Sequence, residues 1–199
     1  MAAAIAAAGL AAAAFIGRNV LLVAACFLVL QLAYTFALKR LVILDVMAIA
    51  GGFVLRVVAG AVAIGVVASP WIILCTGLLS MFLALIKRRC ELTGDDDLTT
   101  HRPALAHYTE TFLDSMISTI TAATIVSYSL YTFLSHERHE PSWMMVTIPF
   151  VAYGLFRYLY LVHLKGLGGN PEEILVGDVP LIVDIVLFVA VSILVLRLA

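Results

Sequence analysis

Seven apolar segments follow one another along this chain with only short polar joints between them, and that pattern restricts the fold more than any single motif does. Their approximate limits are 2–16, 19–38, 41–65, 70–86, 108–134, 142–163 and 180–198. About 20 residues of helix cross the hydrocarbon core of a bilayer, and only a helix or a closed barrel satisfies its own backbone there. Each segment is therefore predicted to be a helix, the Ala-rich first one marginal in length. The chain reads as an all-α integral membrane protein with one transmembrane domain. Composition agrees, with 63% hydrophobic and 13% charged residues and a mean hydropathy of +1.09. A net charge of −1 and the lack of any extended basic stripe argue against nucleic-acid binding. Cys26, Cys75 and Cys90 are odd in number and show no metal-type spacing, so neither a disulfide nor a zinc reading follows.

The charges set the orientation. One set of alternate joints carries Lys39, Arg40, Lys87, Arg88, Arg89, Arg102 and Lys165, and the other carries Arg18, Arg138 and Arg197. Lys and Arg accumulate on the cytoplasmic side of membrane proteins. The joints 38–41, 87–107 and 164–179 are thus expected to face the cytosol from the plasma membrane, with the N-terminus inside.

The longest polar run, Lys87 to Tyr108, opens with Lys87, Arg88 and Arg89, adds Glu91, and passes the acidic Asp95, Asp96 and Asp97. It reads either as a cap over a phosphate- and metal-binding mouth or as a solvated loop whose cations fix topology. Four further charges, Asp45, Asp114, Arg157 and Asp184, fall one or two turns inside the cytosolic ends of their segments. Charge within a membrane is costly and usually faces an interior cavity, so a cavity open to the cytosol is expected. The structural alternative is that pairs such as Asp114 with Arg157 staple helices together. Arg56 stands apart, about 16 Å beyond Asp45 on the same helical stripe, unless Gly51 and Gly52 break the helix. Tyr34, Lys39, Lys87, Arg88, Arg89 and Glu91 belong to the same cytosolic side. Lys and Arg hold phosphate by charge-assisted hydrogen bonds, and carboxylates coordinate Mg²⁺ that bridges phosphate oxygens.

These residues also carry a resemblance. YTFALKR, from Tyr34 to Arg40, resembles the Tyr-x-x-x-x-Lys signature after the fourth helix of the UbiA-type intramembrane prenyltransferase superfamily. LDVMAIAGGFVLRVVAGAVAIG, FLALIKRRCEL, HRPALAHY with FLDSMIS, SYSLYTF and YGLFRYLYL resemble one branch, the decaprenyl-phosphate phosphoribosyltransferases, in the right order over about 30–165. The resemblance implies that a polyprenyl phosphate attacks C1 of phosphoribosyl pyrophosphate and that pyrophosphate leaves. A lipid-linked ribose forms, a precursor of cell-wall arabinan, with Mg²⁺ as cofactor. On this reading Lys39, Lys87 and Arg88 hold donor phosphates, and Tyr34 donates a hydrogen bond nearby. Glu91 orients a cation or the ribose hydroxyls, Arg89 takes the lipid phosphate, and Asp45 and Arg157 join the substrate-binding set.

One departure is large. The superfamily has nine helices and a first Asp-rich motif, Asn-Asp-x-x-Asp-x-x-x-Asp, after the second; this sequence shows no such motif. Its segments resemble the last seven of nine, and Asp95 to Asp97 lack the helical spacing that would aim several carboxylates at one metal. The expectation is a truncated member, inactive unless another polypeptide supplies the first motif. Three other readings stay open: another UbiA-type prenyltransferase, a noncatalytic membrane scaffold, and a transporter. A transporter would need polarity to continue across the helices, where only Arg56 and small hydroxyls such as Thr76, Ser80, Thr121 and Thr124 occur.

Overall fold

The computed structural model describes residues 2–93, 104–134, 143–165 and 176–198. Seven α-helices account for most of them: α1 (Ala2–Ile16), α2 (Arg18–Phe36), α3 (Leu44–Ala63), α4 (Pro70–Thr93), α5 (Glu110–Leu134), α6 (Ile148–Lys165) and α7 (Val179–Leu198). Single 3₁₀ turns occupy Leu38–Arg40, Leu105–His107 and Trp143–Thr147. Six of the described helical segments are long and apolar enough to cross a membrane, whereas α1 is shorter. The protein is therefore a multi-pass, all-α membrane protein.

The chain divides into two units, Met1–Ala84 with Asp96–Tyr108, and Leu85–Asp95 with Thr109–Ala199. In the first, α2 packs on both α1 and α3, and the Leu38–Arg40 turn lies against α2 and α3. Val46, Ala48, Ala50 and Gly52 of α3 are buried, and Gly51 and Gly52 lie inside an unbroken helix. Arg56 therefore stays far along α3 from Asp45. The helix stops at Gly65, whose φ of 71° is open to a residue without Cβ. Gly65 N–H donates to Val62 O and Val66 N–H to Ala61 O, the paired bonds that satisfy the last carbonyls of a helix. Four residues later Ser69 starts α4: its Oγ accepts Trp71 N–H at 3.3 Å, and Pro70, lacking an N–H, takes the first helical position.

In the second unit α6 packs on α5 and α7, and the Trp143–Thr147 turn touches all three. Thr109 caps α5 by accepting Phe112 N–H at 3.2 Å, and Asp178 caps α7 by accepting Leu181 N–H at 3.1 Å. The hydroxyls of α5 turn back onto their own helix: Thr121 donates to Ile117 O and Thr124 to Ile120 O, both at 2.7 Å. Both side chains are buried against the helix that carries them.

Helices α6 and α7 approach closely at Gly154, where a Cβ would meet Asp184 Oδ2 at 3.0 Å. Gly154→Ala is expected to lower the unfolding free energy by about 1–3 kcal/mol through overpacking. Gly60→Ala is the control, because a Cβ there meets nothing within 4 Å and gains up to about 1 kcal/mol of helix propensity. Detergent-titrated unfolding compares the two. Equal losses would refute the close packing.

Candidate functional site

The polar stretch expected as a cap loop over 87–107 differs in its first part. Helix α4 continues to Thr93, so Lys87, Arg88, Arg89 and Glu91 are helical. The reason lies in the residues themselves: Lys, Arg, Glu and Leu are good helix formers, and Arg88 Nη1 meets Glu91 Oε2 at 2.6 Å, three residues along. The apolar run ends at Ile86 but the helix does not. A 24-residue helix is about 36 Å long against a core of about 30 Å, so its last turns emerge into the headgroup zone. Asp95 to Asp97 and Arg102 lie outside the described residues.

Among the described residues three arginine ion pairs organise this end of the second unit. Buried Arg88 pairs with Glu91. Arg89 Nε donates to Asp114 Oδ1 at 2.5 Å, and His163 Nε2 lies 3.3 Å from the same oxygen, which ties the end of α4, the start of α5 and the end of α6 together. Arg157 donates to both oxygens of Asp178, at 3.0 and 2.9 Å, and joins α6 to the cap of α7. The suggested staple between Asp114 and Arg157 is therefore replaced by two others. Asp178 and His163 complete them, and neither stood among the candidate residues. Asp184 is buried beside Gly154 and makes no ion pair among the described residues. Lys87, by contrast, is exposed and makes no ion pair among them.

In the first unit Tyr34, Lys39, Arg40 and Asp45 lie around the joint between α2 and α3. Tyr34 lies in the last turn of α2, and Lys39 in the 3₁₀ turn that follows, half-buried and without an ion pair among the described residues. Ile43 then adopts φ 70°, a left-handed conformation unfavourable for a β-branched residue. Its N–H donates to Tyr108 Oη at 2.7 Å, and Tyr108 Oη donates to Asp45 Oδ1 at 2.8 Å. Asp45 is 1% exposed. It acts here as the buried anchor of a clasp that holds the turn carrying Lys39. Nothing in the sequence pairs Tyr108 with Asp45, which lies 63 positions earlier.

A magnesium centre needs several hard oxygen ligands in one place. Among the described residues no three His, Cys, Asp or Glu side chains come together, and Glu91 and Asp114 already face arginines. The described donor set does not fit such a centre. What the second unit can do is present cations to an anion: Arg88, Arg89 and Arg157 are held by carboxylates, while Lys87 makes no ion pair among the described residues. In the first unit Lys39 likewise makes no ion pair among the described residues.

Comparison with known proteins gives a consistent picture. The model of the UbiA prenyltransferase family matches residues 1–169. A decaprenyl-phosphate phosphoribosyltransferase of Mycolicibacterium smegmatis is 32% identical over 170 residues, covering 80% of this chain and 53% of that protein. The protein of the same name from Mycobacterium tuberculosis is 32% identical over 171 residues, with 85% and 56% covered. That of Corynebacterium glutamicum is 30% identical over 155 residues, with 76% and 46% covered. The chain thus spans about half the length of the curated relatives it matches.

Proposed function

The chain belongs to the UbiA prenyltransferase family, and on that premise we propose that it serves the transfer of phosphoribose from phosphoribosyl pyrophosphate to a polyprenyl phosphate, decaprenyl phosphate in the relatives' case. In this reaction a phosphate oxygen of the lipid forms a bond to C1 of the ribose. The bond from C1 to the pyrophosphate oxygen breaks, and its electron pair leaves with pyrophosphate. The demand on the protein is electrostatic: it must hold a strongly anionic donor at the membrane surface and neutralise charge as it builds on the leaving group. Lys39, Lys87 and Arg88 serve the donor phosphates, with Tyr34 as a nearby hydrogen-bond donor. Arg89, steadied by Asp114, serves the lipid phosphate. Glu91 fixes Arg88 and is near enough to the same end of α4 to meet ribose hydroxyls. Arg157 and Asp45 hold the surrounding helix ends. The site faces the cytosol, where a soluble sugar phosphate is available.

The observation that carries this reading lies at the end of α4, where Arg88 and Arg89 are tethered to carboxylates while the neighbouring Lys87 is exposed and makes no ion pair among the described residues. Equilibrium dialysis of labelled phosphoribosyl pyrophosphate against the protein in nanodiscs tests it. Saturable binding displaced by inorganic pyrophosphate is expected, with geranylgeranyl diphosphate a poor competitor. A preference for the prenyl diphosphate would assign the chain to ordinary prenyl transfer instead. Lys87→Ala should weaken donor binding by about tenfold or more, the value of a charge-assisted contact. The unfolding midpoint should not move, since Lys87 is exposed and unpaired among the described residues.

A further inference from the structure

Arg56 has no part in that site. It is the thirteenth residue of α3, about 18 Å from the start of the helix and so near the middle of the span. An arginine in a membrane helix normally reaches along its own axis to the nearer interface. Here the nearer end of α3 is Ala63, yet the guanidinium turns the other way. It stacks over Phe53, one turn back, at 5.0 Å and over Phe27 of α2 at 5.2 Å. Phe27 is the middle residue of α2. Two aromatic faces thus hold a cation at mid-depth while its N–H donors stay exposed and unbonded among the described residues.

A second donor lies beside it. Gln31, one turn after Phe27, packs over buried Gly52, where a Cβ would meet Gln31 Nε2 at 3.4 Å and Phe27 Cε2 at 3.6 Å. Gly52 is one turn before Arg56, so the amide and the guanidinium occupy successive turns of the α2 and α3 seam. The Gln31 side chain also has no hydrogen-bond partner among the described residues. In hydrocarbon such donors must be met by acceptors, and Asp45, the one described carboxylate of this unit, is engaged elsewhere.

We infer that the α2 and α3 seam at Arg56 and Gln31 is an intramembrane docking site for a transmembrane helix of a partner protein that carries a carboxylate within its apolar span. A carboxylate satisfies both features at once, accepting two guanidinium bonds while the amide donates to its remaining lone pair. A lipid phosphate fits less well, because its headgroup prefers the interface and these donors are near mid-depth.

The test uses the whole chain in phosphatidylcholine nanodiscs and a dye-labelled synthetic Leu/Ala helix, about 20 residues long, with one central Glu. Energy transfer reports association, and a Gln version of the peptide is the reference. The Glu peptide is expected to associate on the order of tenfold more tightly than the Gln peptide. Arg56→Leu abolishes that preference, Arg56→Lys keeps part of it, and Gln31→Leu reduces it. Circular dichroism and unfolding midpoints verify that each variant is folded. Equal binding of the two peptides, or a Glu preference that survives Arg56→Leu, overturns the proposal. So does Arg56-dependent retention of decaprenyl phosphate with no peptide preference, which would make the seam a lipid-phosphate site.

Discussion

Tyr108→Phe lowers the unfolding free energy by about 1–3 kcal/mol, the order expected when one lost hydroxyl removes a hydrogen bond from a buried carboxylate and another from a part-buried N–H. The hydroxyl is both acceptor for Ile43 N–H and donor to Asp45, which is 1% exposed. Phenylalanine keeps the ring and its packing, so the loss reports the hydrogen bonds alone. The clasp also holds Ile43 at φ 70°, a conformation that costs a β-branched residue roughly 1–3 kcal/mol. Ile43→Gly relieves that strain and surrenders little packing, since Ile43 is 37% exposed. It is expected to be neutral or to stabilise by up to about 1 kcal/mol. Combined with Tyr108→Phe it should recover part of the loss. Detergent-titrated unfolding of the four proteins gives the cycle. A Tyr108→Phe protein as stable as the parent, or an Ile43→Gly protein that is much weaker, would show that the clasp does not hold this turn.

Asp178→Ala is expected to cost a similar amount, about 2–4 kcal/mol, by a different route. Its two oxygens receive Arg157 Nε and Nη2 at 3.0 and 2.9 Å, a bidentate pair. One of them also accepts Leu181 N–H and caps α7. Alanine removes the pair and the cap together, and the cap is worth about 1 kcal/mol alone. Asp178→Asn preserves the cap and one neutral contact, and should lose roughly half as much. Arg157→Leu leaves the cap untouched and stacks no cation over Tyr160, whose ring now lies 5.1 Å from the guanidinium carbon. If alanine and asparagine at 178 are equally harmful, the charge pair rather than the cap carries the effect. If neither is harmful, the joint is not structural.

Which features were legible in the sequence follows from the range of the interactions that fix them. The helices are local, set by apolar runs of membrane length, and the chain order shows them. Even there, Lys87 to Glu91 looked like loop because charge ends the apolar run, whereas helix propensity continues through it to Thr93. The caps at Ser69, Thr109 and Asp178 carry local signals that the apolar segments alone do not use, a capping residue just before a helical run, in two cases with Pro in the first turn. The site is less legible. That Arg157 meets Asp178 and Arg89 meets Asp114 depends on side-chain reach across packed helices, which depth along each helix does not fix. The Tyr108 clasp depends on an unusual dihedral at Ile43 that no apolar pattern records.

The proposed function requires that Lys39 and Lys87 each lie on the cytosolic face and each meet the anionic donor. The protein has three lysines, Lys39, Lys87 and Lys165, so a membrane-impermeant amine reagent read by mass spectrometry resolves them individually. In sealed inside-out vesicles Lys39 and Lys87 should both be modified, and phosphoribosyl pyrophosphate should protect both. In right-side-out vesicles neither should react. Modification of the two lysines from opposite faces, or modification of both that the donor leaves unchanged, would contradict the account.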